Sequence, residues 1–388
     1  MKLLMLLSRI PYPLEKGDKL RAYHQLRYLS QFCEVHLCCL NDAGTVPGAE
    51  EALKPFCKSI TIIPLKRRNV LWNLSKALFT GLPMQVGYFY NCAAHKEISL
   101  LINEISPDHI YCQLLRVAKY VKGVDIPKTI DYQDVFSKGY ERQAHNRSWF
   151  SKPVFYREAR LLKKYEERIF PWFDHHCIIS EPDRQELSFS GKDRVEIIHN
   201  GVDMEYFVPV EHVKDTDILF TGNMNYPPNV MGAEYLVKQI LPLVRKSLPG
   251  VKVMIAGANP SQRVLSLASE NIIVTGWMDD IRPAFARSRV FVAPMTIGTG
   301  LQNKLLEAMS MKIPCITSPL ANAALKAEAG IDISVCDSPD EYAASVIDLL
   351  GHPEKTLQQT NHAYEFVKGH YSWEAETRKL FQLMQAVR

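Results

Sequence analysis

The sequence predicts an α/β protein made of two doubly wound domains. Its 388 residues exceed what one ordinary hydrophobic core holds, which favours two domains. From residue 216 onward, short β-branched runs alternate with amphipathic segments, the pattern of a parallel sheet covered by helices. The first half repeats this alternation less regularly, so we expect a second domain of the same class there.

Seven runs in the first half and six in the second half read as strands. The first seven are LLMLL, EVHLCCL, SITIIPL, DHIYCQ, KTIDYQ, HHCIIS and VEIIHN, and the last six are DILFTG, VKVMIAG, NIIVTG, VFVAP, IPCIT and DISVC. After DILFTG, apolar residues at helical spacing predict a helix with Asn229 as its N-cap. Because residues 199–216 are polar and rich in turn formers, we place the domains at 1–205 and 206–370. The final helix, within 371–388, could pack on either domain, including back on the first.

Amino-acid composition narrows the classes to which this protein can belong. A net charge of +4 suits a phosphate-bearing ligand or an anionic membrane surface but falls short of a nucleic-acid footprint, so no nucleic-acid partner is expected. Nine cysteines without a CxxC pair favour reduced, buried thiols in a cytoplasmic protein. The apolar run of MKLLMLLSR is shorter than a signal peptide requires and reads as a first buried strand. No run has membrane-spanning length, so any membrane contact would be peripheral, at the inner face of the cytoplasmic membrane.

The loop after VFVAP has the residues of an anion site. Gly298 and Gly300 let the backbone approach a ligand closely, and the helix that follows offers free N–H groups. Lys304 can reach a phosphate, and Glu307, one turn further along the same face, has two oxygens that could accept both hydroxyls of a ribose. The alternative is a solvated pair on a surface helix. The glycines and the preceding buried strand favour a nucleotide site.

The run GTGLQNKLLEAMSMKIPCITSP resembles the nucleotide-sugar motif of the family 4 retaining glycosyltransferases of GT-B architecture. Three more stretches are similar to that family: HNGVDMEYF, FTGNMNYPPNV and YSWEAETRKLF. The likeness spans nearly the whole chain and is closest to the sugar transferases associated with bacterial exopolysaccharide and PEP-CTERM protein-sorting systems.

The resemblance implies two Rossmann-like domains facing each other across a cleft, the first for the acceptor and the second for a nucleoside-diphosphate sugar. It implies transfer of the sugar, with retention, to a hydroxyl of a glycan or lipid-linked glycan, with no cofactor besides the nucleotide sugar as co-substrate. Carried over by position, the donor-binding residues are Gly222, Asn223, Gly276, Trp277, Met278, Thr299, Gly300, Leu301, Gln302, Asn303, Lys304 and Glu307.

Two departures from the family pattern bear on this assignment. Thr299 stands where relatives carry a glutamate that contacts the transferred sugar, and the usual basic pair after the first donor strand is replaced within GNMNYPPN. We therefore expect Lys304, the helix N-terminus and either Arg282 or a residue of the other domain to neutralise the diphosphate.

In the first domain, the resemblance places an acceptor or phosphate loop at Gly17, Asp18, Lys19 and Arg21, with capping of a helix by Asp18 as the structural alternative. Asp131 occupies the position of a family histidine that faces the reacting sugar, and Asp134 follows it. We expect Asp131 and Asp134, with Lys304 and Glu307, to be the catalytic residues. A carboxylate there could accept a proton or stabilise positive charge on the sugar ring, whereas the alternative is a helix cap. Which aspartate faces the reaction centre stays open.

Two further stretches contain residue types that are typical of metal or membrane binding. His175, His176 and Cys177 are adjacent in a strand, which is poor metal-ligand geometry, so no metal site is expected. Residues 64–83 mix basic and apolar side chains, which suits either a helix on anionic lipid or an ordinary helix covering the first sheet.

A binding protein on a transferase scaffold and a nucleotide-sugar epimerase stay as rival functions.

Overall fold

The computed structural model describes residues 1–14, 16–42, 44, 46–65, 73–75, 77, 81–145, 149–297 and 300–386. The chain divides into two compact units, Met1–His199 together with Glu374–Arg388, and Asn200–Trp373. The predicted boundary at residues 205 and 206 thus lies six residues beyond the division at His199. Among the described residues, no helix has the length and apolar character needed to cross a membrane.

The first unit is built on a seven-stranded sheet in which all neighbouring strands are parallel. Its strands are β1 (Lys2–Leu7), β2 (Glu34–Asn41), β3 (Ser59–Pro64), β4 (His109–Gln113), β5 (Lys128–Asp131), β6 (His175–Ile178) and β7 (Glu196–Ile197), in the order β3-β2-β1-β4-β5-β6-β7. Leu3 to Leu7 are fully buried because helices cover both faces of a parallel sheet.

The helices of this unit connect successive strands. They are Gly17–Leu29, Ala49–Leu53, Met84–Phe89, Cys92–Ile105, Phe136–His145, Lys152–Ile169 and Glu181–Glu186, with 3₁₀ turns at Lys54–Phe56, Ala118–Val121, Phe170–Trp172 and Lys192–Arg194. The terminal helix Trp373–Gln385 also packs here, since Leu380 and Met384 lie in one core with Leu3 and Met5. The end of the chain therefore returns to the first unit.

The second unit contains a six-stranded parallel sheet. Its strands are β8 (Thr216–Thr221), β9 (Val253–Ala256), β10 (Ile272–Val274), β11 (Ser288–Ala293), β12 (Cys315–Thr317) and β13 (Ser334–Val335), in the order β10-β9-β8-β11-β12-β13. All thirteen predicted strands are confirmed. In each sheet the strand order reverses beside the first strand, between β1 and β4 and between β8 and β11. Ligands bind such sheets outside the carboxyl ends of the strands at these reversal points.

Helices flank the second sheet as well. They are Pro227–Tyr235, Leu241–Ser247, Gln262–Leu265, Arg282–Arg287, Asn303–Ser310, Pro319–Leu325, Pro339–Gly351 and Pro353–His370, with a π-helical turn at Leu236–Ile240. The prediction of Asn229 as an N-cap is wrong, because the cap is Tyr226 and Asn229 is the third helical residue. Pro227 and Pro228 fit the first helical turn, where a backbone N–H has no intrahelical partner.

Candidate functional site

Two glycine loops meet at the carboxyl ends of β8 and β9. Gly222 and Gly257 both have positive φ, 154° and 136°, and a Cβ on Gly257 would lie 1.9 Å from the carbonyl oxygen of Gly222. The Gly257 N–H also donates to the carbonyl of Gly276, which follows β10. Glycine is required at 257 because any side chain would push these loops apart.

Replacing Gly257 by alanine is expected to destabilise the second unit by about 3 kcal/mol, through backbone strain and the clash with Gly222. Urea unfolding measures this change. Gly250→Ala is the control, because a Cβ there meets nothing within 4 Å. Equal stabilities of the two variants would contradict the close approach of the loops.

Lys304 supplies a positive charge at the carboxyl edge of the second sheet. It lies in the first turn of the helix Asn303–Ser310, is 9% exposed, and its Nζ donates to Asn229 Oδ1 at 2.5 Å. Asn229 is itself held, since its Nδ2 donates to the carbonyl of Asn223 at 3.0 Å. The Lys304 ammonium also lies 4.7 Å from the centre of the Phe220 ring. No carboxylate of the described residues forms an ion pair with Lys304. A nearly buried ammonium thus has a neutral amide as its partner.

Glu307 lies one turn further along the same helix and is partly exposed. Within the part of the chain that the structure describes, no group donates a hydrogen bond to its carboxylate. Burial lowers the pKa of Lys304 to about 7, against the opposing charge of Glu307. Burial likewise raises the pKa of Glu307 to about 7, against the charge of Lys304. The first two turns of this helix therefore contain one cationic donor and one carboxylate. Because both pKa values are about 7, binding of a charged ligand would change the protonation of both groups.

The rest of this loop orders the start of the helix. The Gln302 amide donates to the carbonyl of Gly300 at 2.9 Å, and Asn303 Oδ1 accepts from the Asn200 amide at 3.2 Å. Leu301 packs on the core of the second unit. Thr299, predicted to bind the donor, and Gly298 lie outside the described residues.

The segment after β10 contains three of the predicted donor-binding residues. Gly276 has a φ of 71°, Trp277 is 57% exposed with its indole N–H donating to Asp279, and Met278 packs partly on the core. Trp277 is thus an exposed ring rather than a packing residue. Arg282 is held by both oxygens of Asp280 and lies 4.1 Å from the Tyr206 ring centre, so its guanidinium is already paired.

In the first unit, Asp131 and Arg21 form a fully buried pair. Arg21 Nε donates to Asp131 Oδ2 at 2.6 Å, and both side chains have no exposed surface. Tyr111 donates to the same oxygen at 2.6 Å, Gln25 donates to it at 3.3 Å, and the Gln133 N–H donates to the other oxygen. Burial lowers the pKa of Arg21, but the charge of Asp131, its hydrogen bond to Arg21 and the nearby Tyr111 and Cys177 together outweigh burial, and the net shift is upward. Neither side chain can touch a substrate from this position.

Asp134, three residues further on, is exposed instead. Desolvation by the surrounding protein raises the pKa of Asp134 to about 6, while the charges of Arg116 and Arg142 lower it and those of Asp18 and Glu186 raise it. Of the two aspartates, Asp134 is therefore the one whose carboxylate a ligand can reach.

The predicted loop around residue 17 starts the first helix. Gly17 is exposed and is the first helical residue, while the cap position belongs to Lys16, so the alternative of Asp18 as N-cap is wrong. Asp18 lies in the first turn, 3.4 Å from Arg9 and 3.9 Å from Arg116. Lys19 donates to the carbonyl of Tyr12 at 3.4 Å.

Sequence reasoning missed Arg9 and Arg116. They follow β1 and β4, the two strands that flank the reversal point, and this placement after a strand was the available signal. Arg116 donates twice to Gln85 Oε1 and lies 5.0 Å from the ring centres of Phe89 and Phe136. Burial, with the nearby charge of Arg9, lowers the pKa of Arg116 to about 10. No group of three or more metal-ligating side chains occurs within the described ranges.

Comparisons with known proteins agree with this architecture. Residues 215–352 match the family model "Glycosyl transferases group 1". The chain is similar to an "Uncharacterized 44.6 kDa protein in cps region" of Klebsiella pneumoniae, with 22% identity over 98% of both chains. Among solved structures it is similar to a sucrose-phosphate synthase from Thermosynechococcus elongatus, with a TM-score of 0.73, 14% identity and 99% and 98% of the two chains covered. It is also similar to Anabaena HepE in complex with UDP, with a TM-score of 0.71, 12% identity and full coverage of both chains, and HepE has been solved with UDP-glucose too. The fold of the chain is GT-B.

Proposed function

Given a glycosyl transferases group 1 domain at residues 215–352 within a GT-B fold, we propose that this chain is a retaining glycosyltransferase. It moves a sugar from a nucleoside diphosphate to a hydroxyl of a glycan or glycolipid. The observation that carries the proposal is the nearly buried Lys304 ammonium, which has no carboxylate partner among the described residues and lies beside Glu307 at the reversal point of the second sheet.

The donor binds at this edge of the second unit. Lys304 supplies positive charge to the diphosphate, and free N–H groups at the start of its helix add to it. Glu307 accepts from the ribose hydroxyls through a carboxylate that no described residue occupies. At Gly222 and Gly257 no side chain covers the backbone beside this site. During transfer, negative charge grows on the departing diphosphate, and a fixed ammonium stabilises it there.

Asp134 is the reaction-centre carboxylate of the first unit in this proposal. Its exposed oxygens can accept the acceptor proton or stabilise positive charge on the sugar ring. Asp131 acts at a distance, by holding Arg21 and the start of the segment that leads to Asp134. Gly17, Asp18 and Lys19 lie at the same carboxyl edge of the sheet, beside Arg9 and Arg116.

The relatives supply the first substrates to try. HepE has been solved with UDP and with UDP-glucose, so a uridine diphosphate sugar is the first donor. The Klebsiella relative from a cps region supports a role in making bacterial surface polysaccharide.

A thermal-shift panel with UDP, GDP, ADP, dTDP and CMP tests the donor site. We expect one diphosphate to raise the unfolding midpoint, because a ligand that binds only the folded state stabilises it, by about 2.7 kcal/mol at 100 times Kd. Glu307→Ala should lose this shift, whereas Glu270→Ala, which removes an exposed carboxylate of the same unit, should keep it. Asp134→Asn should also keep it, since Asp134 is assigned to the other substrate.

The outcomes separate the rival functions. No shift with any nucleotide at millimolar concentration would contradict the donor site and favour a binding protein on a transferase scaffold. A shift accompanied by release of nucleoside diphosphate only when an acceptor is present supports transfer. Turnover of the nucleotide sugar without release of the diphosphate would indicate an epimerase instead.

A further inference from the structure

An apolar tip protrudes from the first unit before the helix Lys152–Ile169. Trp149 is 84% exposed and Phe150 is 69% exposed, and their rings pack edge to face. Val154 and Tyr156, in the first turns of the helix, are exposed as well. Single exposed apolar residues are ordinary, but four within eight positions form a surface that water solvates poorly.

A basic stripe continues from this tip along the same helix. Arg160, Lys163, Lys164 and Arg168 are all exposed, and Glu167 is the single exposed carboxylate among them. The spacing of Tyr156, Arg160, Lys163 and Lys164 places them on one side of the helix.

The opposite side of the helix explains this division of charge. Its other two carboxylates point inward, where Glu158 accepts from the N–H groups of Met84 and Gln85, and Glu166 accepts from Ser137. Leu162 and Ile169 are fully buried beside them. Because the acidic residues are used inside the unit, the outer side is left with an excess of positive charge.

We propose that this aromatic-basic face, made of Trp149, Phe150, Tyr156, Arg160, Lys163 and Lys164, docks the protein on an anionic lipid bilayer. Aromatic rings suit the headgroup boundary, and lysine and arginine are attracted to anionic lipid headgroups. The proposal stands whether or not the chain transfers a sugar.

A bilayer fits this face better than the two other occupants it admits. A second copy placed on the same face would set one basic stripe against another, and like charges oppose such a symmetric contact. A soluble polyanion would pair with the lysines and leave the rings of Trp149 and Phe150 in water. Only an anionic surface with an apolar interior matches both parts of the face.

The buried side of the same helix contacts the residues that follow the segment which composition marked for membrane contact. Residues 64–83 lie mostly outside the described ranges, but Met84 and Gln85 follow them directly and are bonded to Glu158 on the same helix. Gln85 in turn binds Arg116, at the carboxyl edge of the first sheet. The helix that carries the docking face is thus linked, through its buried side, to the edge at which an acceptor is proposed to bind.

Vesicle flotation of the full chain tests the proposal. We expect binding to vesicles of phosphatidylcholine mixed with phosphatidylglycerol, none to phosphatidylcholine alone, and release at high salt. Lys163→Gln/Lys164→Gln should lower the partition coefficient about thirtyfold, from two lost charges near the surface. Trp149→Ser/Phe150→Ser should lower it about tenfold or more. Lys54→Gln/Lys58→Gln, which removes two exposed lysines elsewhere in the unit, is the matched control and should bind like the original protein.

Unchanged unfolding midpoints would show that these surface variants are folded. The proposal is overturned if the protein floats with neither kind of vesicle, or if the control variant loses as much binding as Lys163→Gln/Lys164→Gln. It is also overturned if Trp149→Ser/Phe150→Ser binds vesicles normally, since the rings would then not enter the bilayer. Self-association that this ring variant abolishes, without vesicle binding by the original protein, would assign the face to a second copy.

Discussion

Replacing Lys304 by alanine is expected to lower kcat/KM for the nucleotide-sugar donor by about 100- to 1000-fold, the loss typical of removing one fixed donor from developing negative charge. Arg282 is already paired with Asp280, and the basic pair common in relatives is absent from GNMNYPPN. Lys246→Ala, which removes an exposed lysine of the same unit, should leave kcat/KM unchanged.

The pH dependence of donor binding checks the same assignment. The diphosphate needs protonated Lys304, so affinity should fall as pH rises above the pKa of about 7. The ribose needs ionised Glu307, so affinity should also fall as pH drops below about 7. A narrow maximum near pH 7 follows from the two limbs. Glu307→Gln should remove the acidic limb and move the alkaline one to lower pH, because the charge of Glu307 raises the pKa of Lys304. A flat profile, or normal turnover by Lys304→Ala, would exclude Lys304 from the donor site.

The second large effect concerns the buried pair in the first unit. Arg21→Met is expected to destabilise that unit by about 3 to 5 kcal/mol, because it leaves the Asp131 carboxylate fully buried without its cation. Urea unfolding followed by circular dichroism measures the change. Asp131→Leu should be similarly costly, since it strands the Arg21 guanidinium in the same core.

The double variant Arg21→Met/Asp131→Leu separates a structural role from a catalytic one. Replacing both charges by apolar groups removes the desolvated pair, so part of the stability should return, although the Tyr111 hydroxyl, the Gln25 amide and the Gln133 N–H lose their acceptor. If Asp131 only positions its neighbours, the double variant should also regain measurable sugar transfer through Asp134. Recovered stability without any transfer would instead place Asp131 in the catalytic machinery.

The strands were predictable because each buried strand of a parallel sheet is a short, nearly continuous apolar run. That signal is local, and it located all thirteen strands of the two sheets. The helix that begins at Asn303 was also predictable, since the glycines before it and its own lysine and glutamate lie within one short stretch. The start of the helix Pro227–Tyr235 was predicted wrongly, because Pro227 and Pro228 place its N-cap at Tyr226 and not at Asn229.

The partners of the charged residues could not be predicted in the same way. Lys304 meets Asn229, 75 positions away, and Arg21 meets Asp131, 110 positions away. Such contacts arise where the sheet brings the ends of β1, β4 and β5, or of β8 and β11, to one edge. Amino-acid composition and residue spacing do not specify which loops meet at that edge of the sheet.

The sequence by itself determined the two parallel sheets, the order of their strands along the chain and the residue types available for a nucleotide site. Hydrophobic periodicity and turn residues act over a few positions, so they can be read without coordinates. Tertiary structure alone decided that Asp131 is buried and Asp134 exposed, and that the helix Lys152–Ile169 turns its carboxylates inward and its lysines outward. Burial and pairing depend on which distant segments pack together, and the free energy of a charge depends on that burial.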